Sequence, residues 1–250
     1  NPPLTRSLPA AGPFSAFSTG SLGCCVGAFW DRANPASLLA QDGVPGQRAA
    51  LIRWDAAAGG WTSAEGPAPL PYASPDGSHT VTMRSDGLAV VTRLADGANW
   101  TVNTEGEWPA FSTDNAQLLW LVTREDGSDS PPVETWIANV DGSSARAVAS
   151  ATGAYAYWLD ADRLLLGRRE LITTTLGVFH TRTNEVYVLG SWNWLRGLSI
   201  APGGGRLLFY TVWDEQNGLY SIPTEAGAQA TKLPWFGGWR WRDAETVYLA

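Results

Sequence analysis

One eight-residue pattern returns five times along this chain, and a repeat of that kind leaves few folds open. It reads SPDGSHTV from Ser74, STDNAQLL from Ser112, WLDADRLL from Trp158, APGGGRLL from Ala201 and WRDAETVY from Trp241. The third position is Asp76, Asp114, Asp160, Gly203 and Asp243. In the first copy the turn chemistry is explicit. Pro75 presets φ, Asp76 can accept from the backbone ahead of it, and Gly77 takes a positive φ without a Cβ penalty. Residues 78–83 then alternate polar and apolar with the period of two of a half-buried strand. The pattern is a strand–turn–strand hairpin, and its copies start 38, 46, 43 and 40 residues apart.

The stretch after each hairpin repeats as well. LAVVTRLADG (88–97), TWIANVDG (135–142), GVFHTRTN (177–184) and GLYSIPTE (218–225) are each a short apolar strand entering a turn. Polar or mixed outer strands are expected at 99–103, 145–149, 185–189 and 229–233. Four strands in roughly 40–45 residues make the unit of a β-propeller, which buries its apolar faces only by stacking on its neighbours. The expected fold class is therefore all-β: a six-bladed β-propeller of four-stranded blades, with five full units and a partial sixth visible. Inner strands are placed at Tyr72, Phe111, Tyr157, Ile200 and Arg240.

Residues 24–250 form the propeller domain. Its irregular first unit takes strands at 26–30, 37–40, 49–54 and 60–63. The third unit carries an insertion at 125–133, and the fourth a long middle connection around 168–175. Residues 1–23, rich in Pro, Ala, Ser and Gly, read as an N-terminal arm or as the segment that closes the ring, with strand candidates at 4–8 and 14–18. Continuation of the natural chain past Ala250 is the favoured explanation for the incomplete sixth unit.

SPDG opening a hairpin, a strand ending in Asp-Gly, and a short outer strand together resemble the TolB-type propeller repeat, a relative of the WD-repeat propellers. The resemblance covers residues 25–250 and is best in the first two copies; later copies keep the spacing and lose the Ser-Pro letters. Trp-Asp occurs at 30–31, 54–55 and 213–214, at inconsistent places in the unit, so the WD signature proper is missing. The resemblance implies a secreted or periplasmic protein that partners other envelope proteins.

Charge and hydropathy exclude several classes. A net charge of −7 argues against a nucleic-acid or anionic-membrane surface, both of which call for basic patches. No stretch approaches the roughly 18 apolar residues of a membrane-spanning helix. The cysteines are adjacent, Cys24-Cys25, and consecutive Cα atoms lie about 3.8 Å apart, below the usual disulfide span. They read as two small buried residues opening a strand; the other reading is a strained vicinal disulfide near a ligand, as in some propellers, quinoprotein dehydrogenases among them. With no CxxC and no zinc spacing, neither a metal nor a cofactor is expected.

No catalytic residues are expected either. His79 and His180 fall inside expected strands, and no G-x-S-x-G elbow accompanies them. Residues 112–120, STDNAQLLW, resemble a sialidase Asp-box, without its Gly and with the Trp one place late. The repeated aspartates read as turn formers, since no D-x-D-x-D-G loop argues for calcium.

The unusual feature is aromatic: 14 Trp in 250 residues. Trp108 lies in TEGEWPAF; Trp192, Trp194 and Arg196 in GSWNWLRG; Trp235, Trp239 and Arg240 in LPWFGGWR. These are connections between one unit's outer strand and the next unit's inner strand, which converge on one face of a propeller. Either the rings pack blade against blade, or they form an exposed binding mouth, since Trp and Arg dominate interface hot spots. On the second reading the site is Trp108, Trp192, Trp194, Arg196, Trp235, Trp239 and Arg240, the last six in one patch.

Two functions follow. The first is a non-enzymatic, secreted or periplasmic propeller acting as a binding or scaffold module, with a protein partner expected and a carbohydrate as the other possibility. The second is the substrate-filtering propeller of a larger, prolyl-oligopeptidase-like hydrolase whose catalytic domain lies outside this chain. A lyase or quinoprotein site in the channel has only the cysteine pair behind it.

Overall fold

The computed structural model describes residues 74–249, apart from 214, 235 and 236, together with the backbone of four strands between residues 28 and 63. The chain divides into two compact units, Asn1–Leu70 and Pro71–Ala250. In the first, β1 (Ala28–Trp30), β2 (Ser37–Asp42), β3 (Ala50–Asp55) and β4 (Gly60–Ser63) form one antiparallel sheet in chain order. Each strand starts within two residues of its expected position.

The second unit is a succession of antiparallel meanders. β5 (His79–Met83), β6 (Leu88–Arg93) and β7 (Asn99–Asn103) make a three-stranded sheet. Four-stranded sheets follow: β8 (Ala110–Phe111), β9 (Gln117–Thr123), β10 (Pro132–Asn139) and β11 (Arg146–Thr152); then β12 (Ala154–Trp158), β13 (Arg163–Glu170), β14 (Thr173–His180) and β15 (Val186–Asn193); then β16 (Leu195–Ile200), β17 (Arg206–Thr211), β18 (Gly218–Pro223) and β19 (Thr231–Lys232). β20 (Trp239–Trp241) and β21 (Val247–Leu249) pair last. These are propeller blades. Phe111, Tyr157, Ile200 and Arg240 stand in first strands, as expected. Tyr72, residues 4–8 and 14–18, and Cys24-Cys25 lie outside the described residues.

The central strands explain themselves. Along β9, Leu118 and Trp120 enter one core cluster with Val81, Val91 and Val102, while Leu119 enters another with Ile137, Leu164 and Phe179. Along β13, Leu164 joins that second cluster and Leu165 a third, with Leu176, Val178, Leu207, Phe209 and Ile222. Alternate side chains face opposite sides of a sheet. A strand covered by a blade on each side must therefore be apolar throughout, and LLWLV and LLL are.

Two connections differ from expectation. The fourth unit's long middle connection is a two-residue turn: β13 runs to Glu170 and pairs it with Thr173, leaving only Leu171 and Ile172, with Leu171 at φ 53. The last three residues of β13 are exposed, so no burial imposes an alternating pattern on Arg168-Arg169-Glu170, and the strand is invisible in the letters. GSWNWLRG is also strand, not loop: only Trp194 separates β15 from β16. The insertion of the third unit stands nearly as expected, with Pro132 opening β10, where a missing N–H is tolerated.

The repeated carboxylates hold the hairpin turns. Ser74 Oγ donates to Asp76 Oδ1 at 2.7 Å, the Ser78 N–H to the same oxygen at 2.8 Å, and the His79 N–H to Ser74 Oγ at 2.9 Å. Ser112, Asp114, Ala116 and Gln117 repeat all three bonds. In the fourth and sixth units the turn is one residue shorter: Leu159 bonds Arg163 and Arg242 bonds Thr246 across it, where Ser74 bonds His79. Asp160 and Asp243 still accept two backbone N–H groups each. Asp114→Ala should cost about 1 kcal/mol in urea unfolding, the worth of such turn bonds.

Candidate binding site

In a meander the connections alternate between the two ends of the blade. One end collects the first-to-second and third-to-fourth connections, and with them the turn aspartates. The other collects the second-to-third connections and the passages to the next blade. Trp108, Trp194 and Trp213 all fall at this second end.

The aspartate end is tied from blade to blade. Gln117 Nε2 donates to the Ala161 carbonyl at 3.0 Å and Thr181 Oγ1 at 3.4 Å. Arg163, at the equivalent start of β13, reaches the Thr224 carbonyl and hydroxyl of the following blade at 3.3 and 3.2 Å. Two tryptophans, both at the ends of inner strands, make a further repeated tie. Trp158 Nε1–H donates to the Ala110 carbonyl at 3.1 Å, and Trp241 Nε1–H to Ser199 Oγ at 2.8 Å, each reaching the preceding inner strand. These rings lock blades.

The tryptophan end holds two different arrangements. Around β9 and β10 it is ionic: Arg124 bridges Glu105 and Glu134, and the Trp136 indole N–H also donates to Glu134. The hydrogen bonds from Arg124 hold both carboxyls below the ordinary glutamate range. A carboxylate whose folded value is depressed adds stability above its unfolded value, and loses it as pH falls through the folded one. The stability advantage of wild type over Arg124→Met should thus be present at neutral pH and shrink below about pH 4, measured by urea unfolding along a pH series. Trp108, 42% exposed, lies in the same connection as Glu105.

Around β16 and β17 the same end is aromatic. Trp194 and Trp213 meet edge to face with ring centroids 5.3 Å apart. The Arg196 guanidinium lies 5.9 Å from the first ring and 6.0 Å from the second. Trp213, just past β17, is 73% exposed. Arg196 is paired across the sheet with Tyr210, whose ring meets Trp239 at 5.7 Å, nearly perpendicular. Between these elements opens a cleft of about 740 Å³, lined by residues 197–199, Tyr210, 237–238 and Trp239.

Of the residues singled out in the sequence, Trp194 and Arg196 therefore meet, and Trp239 packs on Tyr210, the cross-strand partner of Arg196. Trp192 does not join them: its ring packs on Phe209 at 4.7 Å, half-buried against the core between the fourth and fifth blades. Trp235 and the side chain of Arg240 lie outside the described residues. Sequence reasoning passed over Trp213 and Tyr210. Both sit at or beyond the end of β17, a second-to-third connection, and only the strand register brings that connection beside Trp194.

The histidines are built into the blades. His79 Nδ1 lies 2.7 Å from Ser78 Oγ, with its ring between Trp100 and Phe111. His180 packs on Tyr187. Among the described residues no three His, Cys, Asp or Glu side chains gather as metal ligands, and no helix is long and apolar enough to cross a membrane.

No family model matches the chain, and no curated protein matches it. Solved structures do. An oligogalacturonate lyase in complex with manganese is similar at a TM-score of 0.53 and 18% identity, over 82% of this chain and 63% of that one. The putative TolB from Agrobacterium tumefaciens gives 0.46 and 17%, over 69% and 64%. The β-propeller domain of the Trilobed protease from Pyrococcus furiosus gives 0.45 and 13%, over 82% and 55%. The chain thus spans 55% to 64% of the length of these structures. At such identities the likeness is one of fold alone; it is the chain's own succession of four-stranded antiparallel meanders that makes the fold a β-propeller.

Proposed function

We propose that this chain is a non-enzymatic propeller module, secreted or periplasmic, that docks a protein partner on its tryptophan end. One observation carries the reading: Trp213 stands 73% exposed, held edge to face on Trp194, with Arg196 over both rings. Scattered exposed apolar residues are ordinary on a protein surface. A preassembled Trp–Trp–Arg group is the composition of an interface hot spot, where rigid aromatic rings and a planar guanidinium gain most when a partner excludes water. Among the described tryptophans, Trp136 directs its indole N–H to Glu134 of its own strand, and Trp158 and Trp241 direct theirs to the preceding blade.

Pull-down from the native source with wild type, Trp213→Ala and Asp114→Ala tests this. Trp213→Ala should lose the partner, a hot-spot truncation costing about 2 kcal/mol or more of binding, while its melting temperature stays near wild type. Asp114→Ala, altered at the other end of the blades, should keep it. Capture unchanged by Trp213→Ala, or capture of polysaccharide alone, would overturn the reading.

A further inference from the structure

We infer that the cleft beside this aromatic group reads an acidic side chain set next to an apolar one on an extended segment of the partner; the inference rests on the binding role proposed above. The cleft exists because the inner strand is interrupted. Arg196 pairs with Tyr210 and Ser199 with Leu208, so two residues of β16 face one of β17, a β-bulge. Its first residue is Gly197, at φ +60, and a Cβ there would lie 2.4 Å from the Tyr210 ring and 3.2 Å from that of Trp239. Only glycine lets both rings close over the bulge. Glycines 237 and 238 supply backbone on the facing side.

What such a cleft accepts follows from its walls. Tyr210 and Trp239 stand at 86° to one another, a wedge rather than a flat platform. A sugar ring stacks on an open aromatic face, whereas a wedge takes a compact aliphatic or proline side chain. Glycine backbone at the floor allows the close approach of another backbone. An extended peptide meets both conditions.

Arg196 supplies the charge. Arg84, Arg93, Arg124, Arg163, Arg168, Arg182 and Arg242 each form an ion pair with Asp or Glu. Arg146, Arg169, Arg196 and Arg206 meet no carboxylate among the described residues, and of these four Arg196 is the one that lies over two indoles. It is half-buried against the two indoles, and donates through Nη1 to the carbonyl of its neighbour Leu195 at 3.1 Å. A guanidinium carries five N–H donors, so most of its fork is open to a ligand. The two indoles flank the guanidinium at 5.9 and 6.0 Å, and its planar fork suits a bidentate carboxylate. A cationic ligand would meet like charge. Arg196 immediately precedes the bulge, so a carboxylate on it leaves the adjacent residue of the segment over the Tyr210–Trp239 wedge.

The probe is a phage library of random 12-residue peptides, selected on the full chain as wild type, Arg196→Gln, Arg196→Lys and Trp213→Ala. Wild type should enrich Asp or Glu beside Pro, Leu, Ile or Val. Arg196→Gln should lose the acidic preference and keep the apolar one; Arg196→Lys should retain it in part. A synthetic consensus peptide, followed by tryptophan emission, should bind Arg196→Gln about 10- to 100-fold more weakly than wild type, the loss of one charge-assisted pair. The inference is sunk by selection without an acidic residue, by no selection, or by an acidic preference that survives in Arg196→Gln. It is also sunk if trigalacturonate shifts the emission of wild type and the selected peptides do not. If Trp213→Ala still abolishes capture of the native partner in any of those cases, the binding role stands and only the peptide chemistry fails.

Discussion

Gly204→Ala should destabilise the protein by about 4 kcal/mol, shifting the urea midpoint far below wild type. Gly204 has φ +71, and a Cβ there would stand 2.1 Å from the carbonyl oxygen of Leu159 and 2.5 Å from its carbon. The obstacle is backbone of the preceding blade, tied by the Leu159 N–H to the Arg163 carbonyl at 2.9 Å. Gly204 cannot retreat either. Its N–H donates to Ala201 at 2.9 Å, and its carbonyl accepts the buried Thr224 hydroxyl at 2.6 Å. Left-handed backbone costs a residue with a Cβ about 1 kcal/mol and overpacking a further 1–3 kcal/mol. Gly203 is the control. It shares the turn and the positive φ, 81, but a Cβ there meets nothing within 4 Å, so Gly203→Ala should cost only about 1 kcal/mol. Equal losses at the two positions would mean that the blades slide apart to accommodate the methyl group.

Phe209→Ala should cost about 4 kcal/mol, the range for emptying an aromatic core site. Phe209 is 0% exposed, with Trp192 at 4.7 Å on one side and Tyr220 stacked at 5.8 Å on another. Trp192→Ala should lose about 3 kcal/mol for the same reason, and the double variant less than the sum, since the two rings share one contact. Trp213→Ala, by contrast, should stay within about 0.5 kcal/mol of wild type, as exposed positions do. The three variants, compared by urea unfolding, separate the rings that hold blades from the rings offered to a partner. A Trp192→Ala protein as stable as wild type would contradict the core assignment.

The strand order was legible because the chain repeats itself. Each unit writes its own hairpin turn, and the carboxylates of Asp76, Asp114, Asp160 and Asp243 satisfy backbone N–H groups within three residues, so their role depends on local sequence alone. The doubly apolar runs of β9 and β13 likewise announce strands covered on both faces. Where burial imposes nothing, the letters are silent: the exposed end of β13 reads as a loop and is strand.

The site was legible only in its parts. Tryptophan and arginine near the blade passages are visible in the letters, but which way each ring turns is not. Trp192 and Trp194 are two residues apart, and one packs on Phe209 while the other meets Trp213. That choice is made by the register of β15 on β14 and by the one-residue passage at Trp194, whose φ is 52. Trp213 and Tyr210 join Trp194 and Arg196 through pairing of β16 with β17, and Trp239 reaches Tyr210 across the next blade. Local hydrogen bonding and period-two burial are properties of a segment, so the sequence by itself determined the blades. A surface assembled from three connections is a property of how blades pack, and only the tertiary structure decided it.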